Sequence, residues 1–400
     1  MDKQIKIGLI GFGTVGEGLY EVLEKSPNAR AEIKRICIKN PEKRRKLTGD
    51  IFTLEVDDLL NDKEINLIVE LIDDDVEAYN IVKKALIGGK SVVSGNKKMI
   101  AFHITELIEL QKKHNVALLY DASACGSIPI IRNLEEYYDN DLLESITGIL
   151  NGSSNFILTR IFNDKMDYQK ALKMAQDLGF AESNPVFDVE GFDSLYKLVI
   201  LATHGFGTVV NPNDVLNYGI SNISDFDIQY ANEKGYKIKL VAQVTKINDN
   251  EITLYVLPRL VTSDKYIYSV EDEYNGVVIK GEAYDKQFMF GKGAGGHPTG
   301  AAVLSDITAR LHNYKYEYKK QKYFTAPKYS TNHVLKIYLR YSNPLELSHF
   351  DFEEIQERYT SEQNSYVVGT IKLDNLIRIK KLLPKLDVFI AFLGDSVNSY

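Results

Sequence analysis

Six residues near the start of the chain constrain it most: Gly11-Phe12-Gly13-Thr14-Val15-Gly16. Before them Ile5, Ile7 and Leu9 alternate with polar or small residues, as in a strand. After them Val15, Leu19, Val22 and Leu23 recur at helical spacing. A G-x-G-x-x-G turn between a strand and a helix has a specific chemistry. Gly11 permits the tight turn, Gly13 lets the backbone approach a pyrophosphate, and Gly16 lets helix and strand pack closely. Thr14 and Val15 open a helix whose free N–H groups and positive dipole end favour phosphate. Phe12 lies within the same cofactor-facing turn. A purely structural glycine turn is the other reading of the motif by itself. Its setting favours a dinucleotide site: apolar runs at Ile33–Ile38, Leu67–Ile72, Ser91–Ser94 and Val116–Tyr120 alternate with helical stretches at Glu77–Leu86 and Ile104–Lys113. That alternation predicts a parallel sheet with helices on both faces.

Cofactor choice is read where the second strand ends, at Cys37-Ile38-Lys39-Asn40-Pro41. NAD enzymes place an acid there for the ribose hydroxyls. Here Lys39 stands at the tip, followed by Glu42, Lys43, Arg44 and Arg45. Cations without a tip carboxylate favour NADP over NAD, because the additional phosphate attracts a cation. The competing reading is a solvated basic loop.

Beyond residue 130 helical stretches mix with strands in which every second residue is apolar, such as Ile238–Val244 and Ile252–Leu257. Gly291–Gly300 (GKGAGGHPTG) precedes a helical run, Ala301–Leu311, and reads as a return to the first domain, with Gly293 approaching the cofactor; a tight domain-crossing turn is the alternative. Tyr314–Lys322 reads as a linker. The last seventy residues form a βαβ-like series at Val334–Tyr341, Phe352–Tyr359, Tyr366–Leu373, Leu376–Leu383 and Asp387–Leu393. A length of 400 residues suits two to four domains. Lys+Arg 48 against Asp+Glu 55 argues against a partner bound through nucleic-acid phosphates. No apolar run is long enough for a membrane span. The chain start lacks a signal-peptide pattern, and two distant cysteines, Cys37 and Cys125, exclude a disulfide framework. A cytoplasmic protein is expected.

Further segments carry chemistry: SGNKK (Ser94–Lys98), DASACGSIPII (Asp121–Ile131), GILNGSSNFI (Gly148–Ile157), GFAESNPVFDVEGFDSLYKL (Gly179–Leu198) and GAGGHPTGAAVLSDI (Gly293–Ile307). Asp193 and Lys197 are four apart on one helix face, which in isolation is the spacing of a surface ion pair. Together with the glycine turn, and in this order, these segments strongly resemble homoserine dehydrogenases from residue 5 to about residue 310. The resemblance implies NADPH-dependent, reversible reduction of L-aspartate 4-semialdehyde to L-homoserine, a step in threonine, methionine and isoleucine biosynthesis. It implies that Lys97 and Lys197 flank the carbonyl, one giving a proton to the incipient alkoxide; Lys97 also borders the cofactor. Glu182 and Asp193 match acids that hold the substrate, Asp188 matches a further acid, and Asn151, Gly152 and Ser153 match the pocket loop.

The chain departs from the family at Asp73-Asp74-Asp75, where a glycine pair is usual, and at Asp121, where a glutamate is usual. In relatives that glutamate and nearby carbonyls hold a monovalent cation. The matching set here is Asp121, Ala124, Gly126 and Ile128, for Na+ or K+, with a capped structural loop as the alternative. Relatives often end in an ACT domain. The loop Ser342–Ser348 lacks the usual glycine, so assembly is expected of this segment rather than effector binding. The expected architecture is an α/β Rossmann-type domain (1–130 plus 291–313), an α+β catalytic and dimerisation domain (131–290) and a small ACT-like C-terminal domain (325–400). The partners expected are a small-molecule substrate and a second copy of the chain in a homodimer or larger homo-oligomer. Another NADP-dependent aldehyde oxidoreductase and a catalytically silent sensor are the rival classes.

Overall fold

The computed structural model describes residues 4–395 apart from Lys46 and Thr48. The chain forms two compact units, residues up to Asn140 with Gly291–Phe324, and Asp141–Phe290 with the chain from Thr325 onward.

Among the described residues the first unit holds a six-stranded sheet. Its strands are β1 (Ile5–Ile10), β2 (Ala31–Cys37), β3 (Phe52–Thr53), β4 (Leu67–Glu70), β5 (Ser91–Ser94) and β6 (Leu118–Leu119). Their spatial order is β3-β2-β1-β4-β5-β6 and every pairing is parallel. Parallel strands covered on both faces need continuous apolar sequence, and Ile7, Leu9, Ile68, Val69, Val92 and Val93 are all fully buried. Each contributes about 1.5–3 kcal/mol by leaving water. The chain leaves β1 for β2 on one side and for β4 on the other. The carboxyl ends of β1 and β4 therefore mark the topological switch point, where open α/β sheets bind their ligands.

Two helices of this unit, Thr14–Glu24 and Gly296–Ala309, pack unusually closely. A Cβ built on Gly18 would lie 2.1 Å from the Gly296 carbonyl oxygen, and one on Gly300 2.6 Å from the Leu19 nitrogen. Glycine is what lets these backbones touch, so the segment GKGAGGHPTG does pack against the first helix.

The unit also keeps two pieces that sequence assigns elsewhere. The helix Ile130–Glu136 stays with it because Asp121 Oδ1 accepts the amides of Ile131 and Arg132. The tyrosine-rich stretch read as a linker is packed: Tyr316 and Tyr318 are buried, the Tyr316 carbonyl accepts Gln111, and Glu135 accepts the amides of Glu317 and Tyr318. Tyrosine serves either role, since its ring buries well once its hydroxyl finds a partner; here the hydroxyls of Tyr318 and Tyr120 meet at 3.0 Å.

The second unit is a mixed sheet of β7 (Leu143–Ile149), β8 (Leu216–Asn217), β9 (Lys237–Asn248), β10 (Glu251–Val261), β11 (Tyr274–Gly281), β12 (Asp285–Lys292), β13 (Lys328–Tyr329), β14 (Val334–Tyr341), β15 (Phe352–Thr360), β16 (Ser365–Lys372) and β17 (Val388–Asp395). The main path runs β12-β11-β7-β9-β10-β17-β14-β16-β15, with β8 and β13 also pairing β10. The C-terminal series is βαββαβ: helix Pro344–Leu347 follows β14 and helix Leu373–Arg378 follows β16. Its four strands lie in the order β17-β14-β16-β15, all antiparallel. Because β17 also pairs with β10 at Arg259 and Phe392, this segment shares one sheet with the middle of the chain. The buried ion pair of Arg340 on β14 with Asp227 on the helix Asp225–Glu233, at 3.0 Å, fastens it further. Beneath β9 and β10 lies the helix Phe192–Phe206, apolar nearly all round and almost wholly buried.

Candidate active site

The first unit carries the cofactor residues. Gly11, at φ +93°, sits where a Cβ would lie 2.5 Å from the Leu71 carbonyl oxygen, and a Cβ on Gly16 would lie 2.4 Å from the oxygen of Gly11. A Cβ on Gly13 would meet nothing within 4 Å, which leaves open space above the turn for a ligand. Gly13 is the N-cap of the helix Thr14–Glu24 and offers no side-chain cap. Gly295 does the same for Gly296–Ala309, and Gly296 abuts the carbonyl of Thr14. Two uncapped helix N-termini therefore stand side by side, a doubled site for phosphate oxygens. Phe12 is buried edge-on against Phe52 and Tyr20, so it holds the turn by packing. Gly293 packs on the loop after Asp121: a Cβ on Gly126 would lie 2.5 Å from the Gly293 oxygen.

At the tip of β2 the Lys39 amine is exposed, 3.8 Å from Glu77. Arg45 is turned inward onto the carbonyls of Asn40 and Lys43 and over the Phe52 ring. Lys97 opens the helix Lys97–His114, and Asn96 caps that helix by accepting the amide of Met99. The three acids that replace the usual glycines have separate work. Asp74 caps the helix Asp75–Ile87 through the amides of Val76 and Glu77, and Asp75 pairs with Lys98 at 2.8 Å. Asp73 is exposed.

The cation set is only partly as expected. Asp121 is buried, and its Oδ1 is taken by the two helix amides, while its own N–H donates to Asp306. The Ile128 carbonyl accepts the amide of Ile130. Burial, and then the charge of Asp121 beside it, push the carboxyl of fully buried Asp306 above the usual carboxylate range, with Arg132 at 2.6 Å opposing the rise. These contacts are those of a capped loop. Among the described residues no group of three or more His, Cys, Asp or Glu side chains would hold a metal ion.

The second unit carries the candidate substrate residues, and here side chains converge. The Lys197 ammonium, 8% exposed, lies 2.7 Å from Asp193 Oδ2 and donates to the Leu150 carbonyl at 2.6 Å. An i,i+4 pair is usually a solvated surface feature worth little. This one is enclosed because its helix is buried on every side, and a buried pair loses several kcal/mol when one partner is removed. The Asn151 amide donates to Asp188 at 2.7 Å and to Asp193 at 3.0 Å, while its oxygen caps the helix Gly152–Asp164. Gly152 and Ser153 form the first turn of that helix, and the Ser153 hydroxyl donates to the Phe180 carbonyl. Asn151, Asp188, Asp193 and Lys197 are thus one network. Glu182 stands apart on an exposed loop, tied through its backbone carbonyl to Gln176.

Sequence reasoning missed Asn275. It is fully buried on β11 and donates to the same Leu150 carbonyl at 3.0 Å. The signal was a lone amide in the apolar alternation of YNGVVI. It also passed over Glu70, Ser94 and Asn96 as a connected group at the ends of β4 and β5.

Two family models match the chain. Residues 11–121 match "Homoserine dehydrogenase, NAD binding domain" and residues 129–308 match "Homoserine dehydrogenase". A homoserine dehydrogenase of Bacillus subtilis is 35% identical over 82% of this chain and 78% of its own. One from Synechocystis is 37% identical over 76% of this chain and 72% of its own. The crystal structure of a homoserine dehydrogenase from Thiobacillus denitrificans superposes with a TM-score of 0.85 at 31% identity, covering 98% of this chain and 99% of that one. A hyperthermophilic archaeal homoserine dehydrogenase in complex with NADPH has a TM-score of 0.68 at 28% identity, over 78% of this chain and 99% of that one.

Proposed function

The chain belongs to the homoserine dehydrogenase family, and from that premise we propose how its residues divide the reversible reduction of L-aspartate 4-semialdehyde to L-homoserine. The two bare helix N-termini and the glycine turn fit a dinucleotide pyrophosphate, and Lys39 fits the additional phosphate of NADP. When bound, the nicotinamide supplies the hydride. What this chain must then do is hold the aldehyde and deliver one proton to the oxygen that becomes the hydroxyl. Lys197 is our donor. Its ammonium is buried, charged against Asp193 and aimed by the Leu150 carbonyl, and Asn275 holds that carbonyl in turn. Lys97 is the second cation for the developing alkoxide. Asp193 takes the substrate's α-ammonium group, with Asp188 held beside it by Asn151; Glu182, apart on its exposed loop, is assigned to the substrate by the resemblance alone. Gly152 and Ser153 offer helix-end groups to its carboxylate.

The Asp193–Lys197 pair carries this reading: it is buried, it is shared with Asn151 and the Leu150 carbonyl, and it falls on the two residues that match the family's motif. Following NADPH consumption with L-aspartate 4-semialdehyde and with other small aldehydes tests it, repeated with NADH. Equal rates on unrelated aldehydes would sink the substrate assignment, and a clear NADH preference the cofactor assignment.

A Na+ or K+ ion would sit on the carbonyls of Ala124, Gly126 and Ile128, with Asp121 beside them, its Oδ1 engaged by the amides of Ile131 and Arg132. The sheet face bearing Ser145, Thr147, Gln243 and Arg259 lines a cavity of about 430 Å³, and we place a second copy of the chain there, making a homodimer. We read residues 325–400 as an ACT-like segment serving assembly. Its first loop is already filled by its own side chains, with Ser342 on Asp387 and Glu346 accepting the amide of Asp387. Cys37 and Cys125 are buried and not joined in a disulfide, as expected of a cytoplasmic enzyme. No helix among the described residues is long and apolar enough to cross a membrane.

A further inference from the structure

Glu70, the last residue of β4, ends at the switch point beside the glycine turn, yet the mechanism above does not use it. Its side chain is fully buried. One oxygen accepts the Ile72 amide at 2.7 Å and the other accepts the Ser94 hydroxyl at 2.5 Å. The Ser94 oxygen in turn accepts the amide of Asn96 at 3.1 Å, and the Asn96 side chain donates to the Ile72 carbonyl at 3.1 Å. A closed ring of hydrogen bonds results, joining the end of β4, the 71–75 loop, the end of β5 and the N-cap of the helix that begins with Lys97. Leu71, inside this ring, is the residue whose carbonyl presses on Gly11.

We infer that Glu70 is a positioning residue of the cofactor site: through Ile72, Ser94 and Asn96 its carboxylate sets both the loop under the glycine turn and the first turn of the Lys97 helix. The inference rests on the cofactor reading above and adds a residue to it. A buried carboxyl is an expensive way to satisfy one amide and one hydroxyl. What the carboxylate offers that an amide side chain cannot is two acceptors at once, one for each segment. Burial pushes Glu70 up to about 7, against the hydrogen bonds from Ser94 and Ile72, and the neighbouring Asp73 adds to the rise. The other charged groups around it are Asp74, turned to its helix amides, the Asp75–Lys98 pair, and Lys97 at the helix start. Protonation gives one oxygen a hydrogen and leaves the ring one acceptor short. The positioned state is the ionised one, present above neutral pH.

The test uses the full chain, NADPH and L-aspartate 4-semialdehyde, across pH from about 5.5 to 8.5. For the parent protein kcat/KM for NADPH should fall on the acid side of about pH 7. Glu70→Gln should lose that limb and lower kcat roughly ten- to hundredfold, with KM for the aldehyde little changed. Ser94→Ala should keep the limb but move it to higher pH, because the hydroxyl that favours the ionised form is gone. Parent-like kcat and an unchanged limb in Glu70→Gln would overturn the inference. If that variant does not fold, an unshifted limb in Ser94→Ala overturns it instead. A parent chain that binds no NADPH refutes the cofactor reading itself, a failure visible by titration before any variant is made.

Discussion

The proposed cofactor residues and the proposed substrate residues are built from different materials. The cofactor turn is backbone: glycines at 11, 13, 16, 18, 295 and 296 let main chains approach one another and leave helix amides bare. The proposed substrate network is side chain: Asn151 holds Asp188 and Asp193, Asp193 pairs with Lys197, and Lys197 and Asn275 both donate to the Leu150 carbonyl. A backbone site depends on what is missing, so it fails when atoms are added. A side-chain site depends on what is present, so it fails when atoms are removed. Substitutions that add and that delete should therefore sort the two regions.

Deletion at the substrate network should have the largest effect. Lys197→Ala removes the proposed proton donor and should lower kcat by about 10³–10⁴-fold, while NADPH affinity, read by fluorescence titration, stays within a fewfold of the parent. A parallel loss of NADPH binding would mean that the two regions are not separable as drawn. Addition at the cofactor turn comes next. Gly18→Val places a Cβ 2.1 Å from the Gly296 oxygen, so the two helices must separate. Overpacking of this kind costs about 1–3 kcal/mol or more. Urea unfolding should show that loss, and KM for NADPH should rise with it. A variant as stable as the parent would show that the close helix approach contributes nothing.

The same difference explains what could be read in the sequence. The glycine turn was legible because backbone requirements fall on consecutive residues, and the alternation of apolar runs and helices gave the parallel sheet. Asp193 and Lys197 were legible as a pair but not as a buried one. Their enclosure comes from a helix buried along almost its whole length and packed on β9 and β10, strands that begin only at Lys237 and Glu251. Asn275 and the Glu70–Ser94–Asn96 ring were not legible, since each depends on register between strands that the sequence does not number. The tyrosine stretch misled for a related reason: nothing local tells whether a phenol hydroxyl will find Tyr120 or water.

The two regions also differ in how they carry charge. Asp193 has a lysine beside it; Glu70 is held by a hydroxyl and an amide alone among its hydrogen-bond partners. With its folded value raised from 4.5 to about 7, the folded chain binds a proton that the unfolded chain has released. Stability from this group is full below about pH 4.5 and is lost as pH rises through 7, a swing on the order of 3 kcal/mol. Glu70→Gln does not titrate, so its stability relative to the parent should improve by up to about that amount between roughly pH 5 and 8. Urea unfolding at both pH values measures it. A difference independent of pH would place the titration of Glu70 outside this range and end the contrast with Asp193.

The smallest effect is expected where the proposed cofactor site uses a side chain. Lys39 is almost fully solvated and shares its charge with Glu77 at 3.8 Å, so its hold on a phosphate is screened and worth at most about 1 kcal/mol. Lys39→Ala should raise KM for NADPH by roughly two- to fivefold and leave KM for NADH unchanged. Glu77→Ala should act in the opposite direction, releasing Lys39 and lowering KM for NADPH by a smaller factor. Both changes should fade as salt is raised, because exposed charges are screened beyond about 10 Å at 0.1 M. If Lys39→Ala weakens NADPH and NADH alike, the lysine supports the loop rather than the phosphate, and NADP selectivity passes to Arg44 or Lys43 in the same exposed turn.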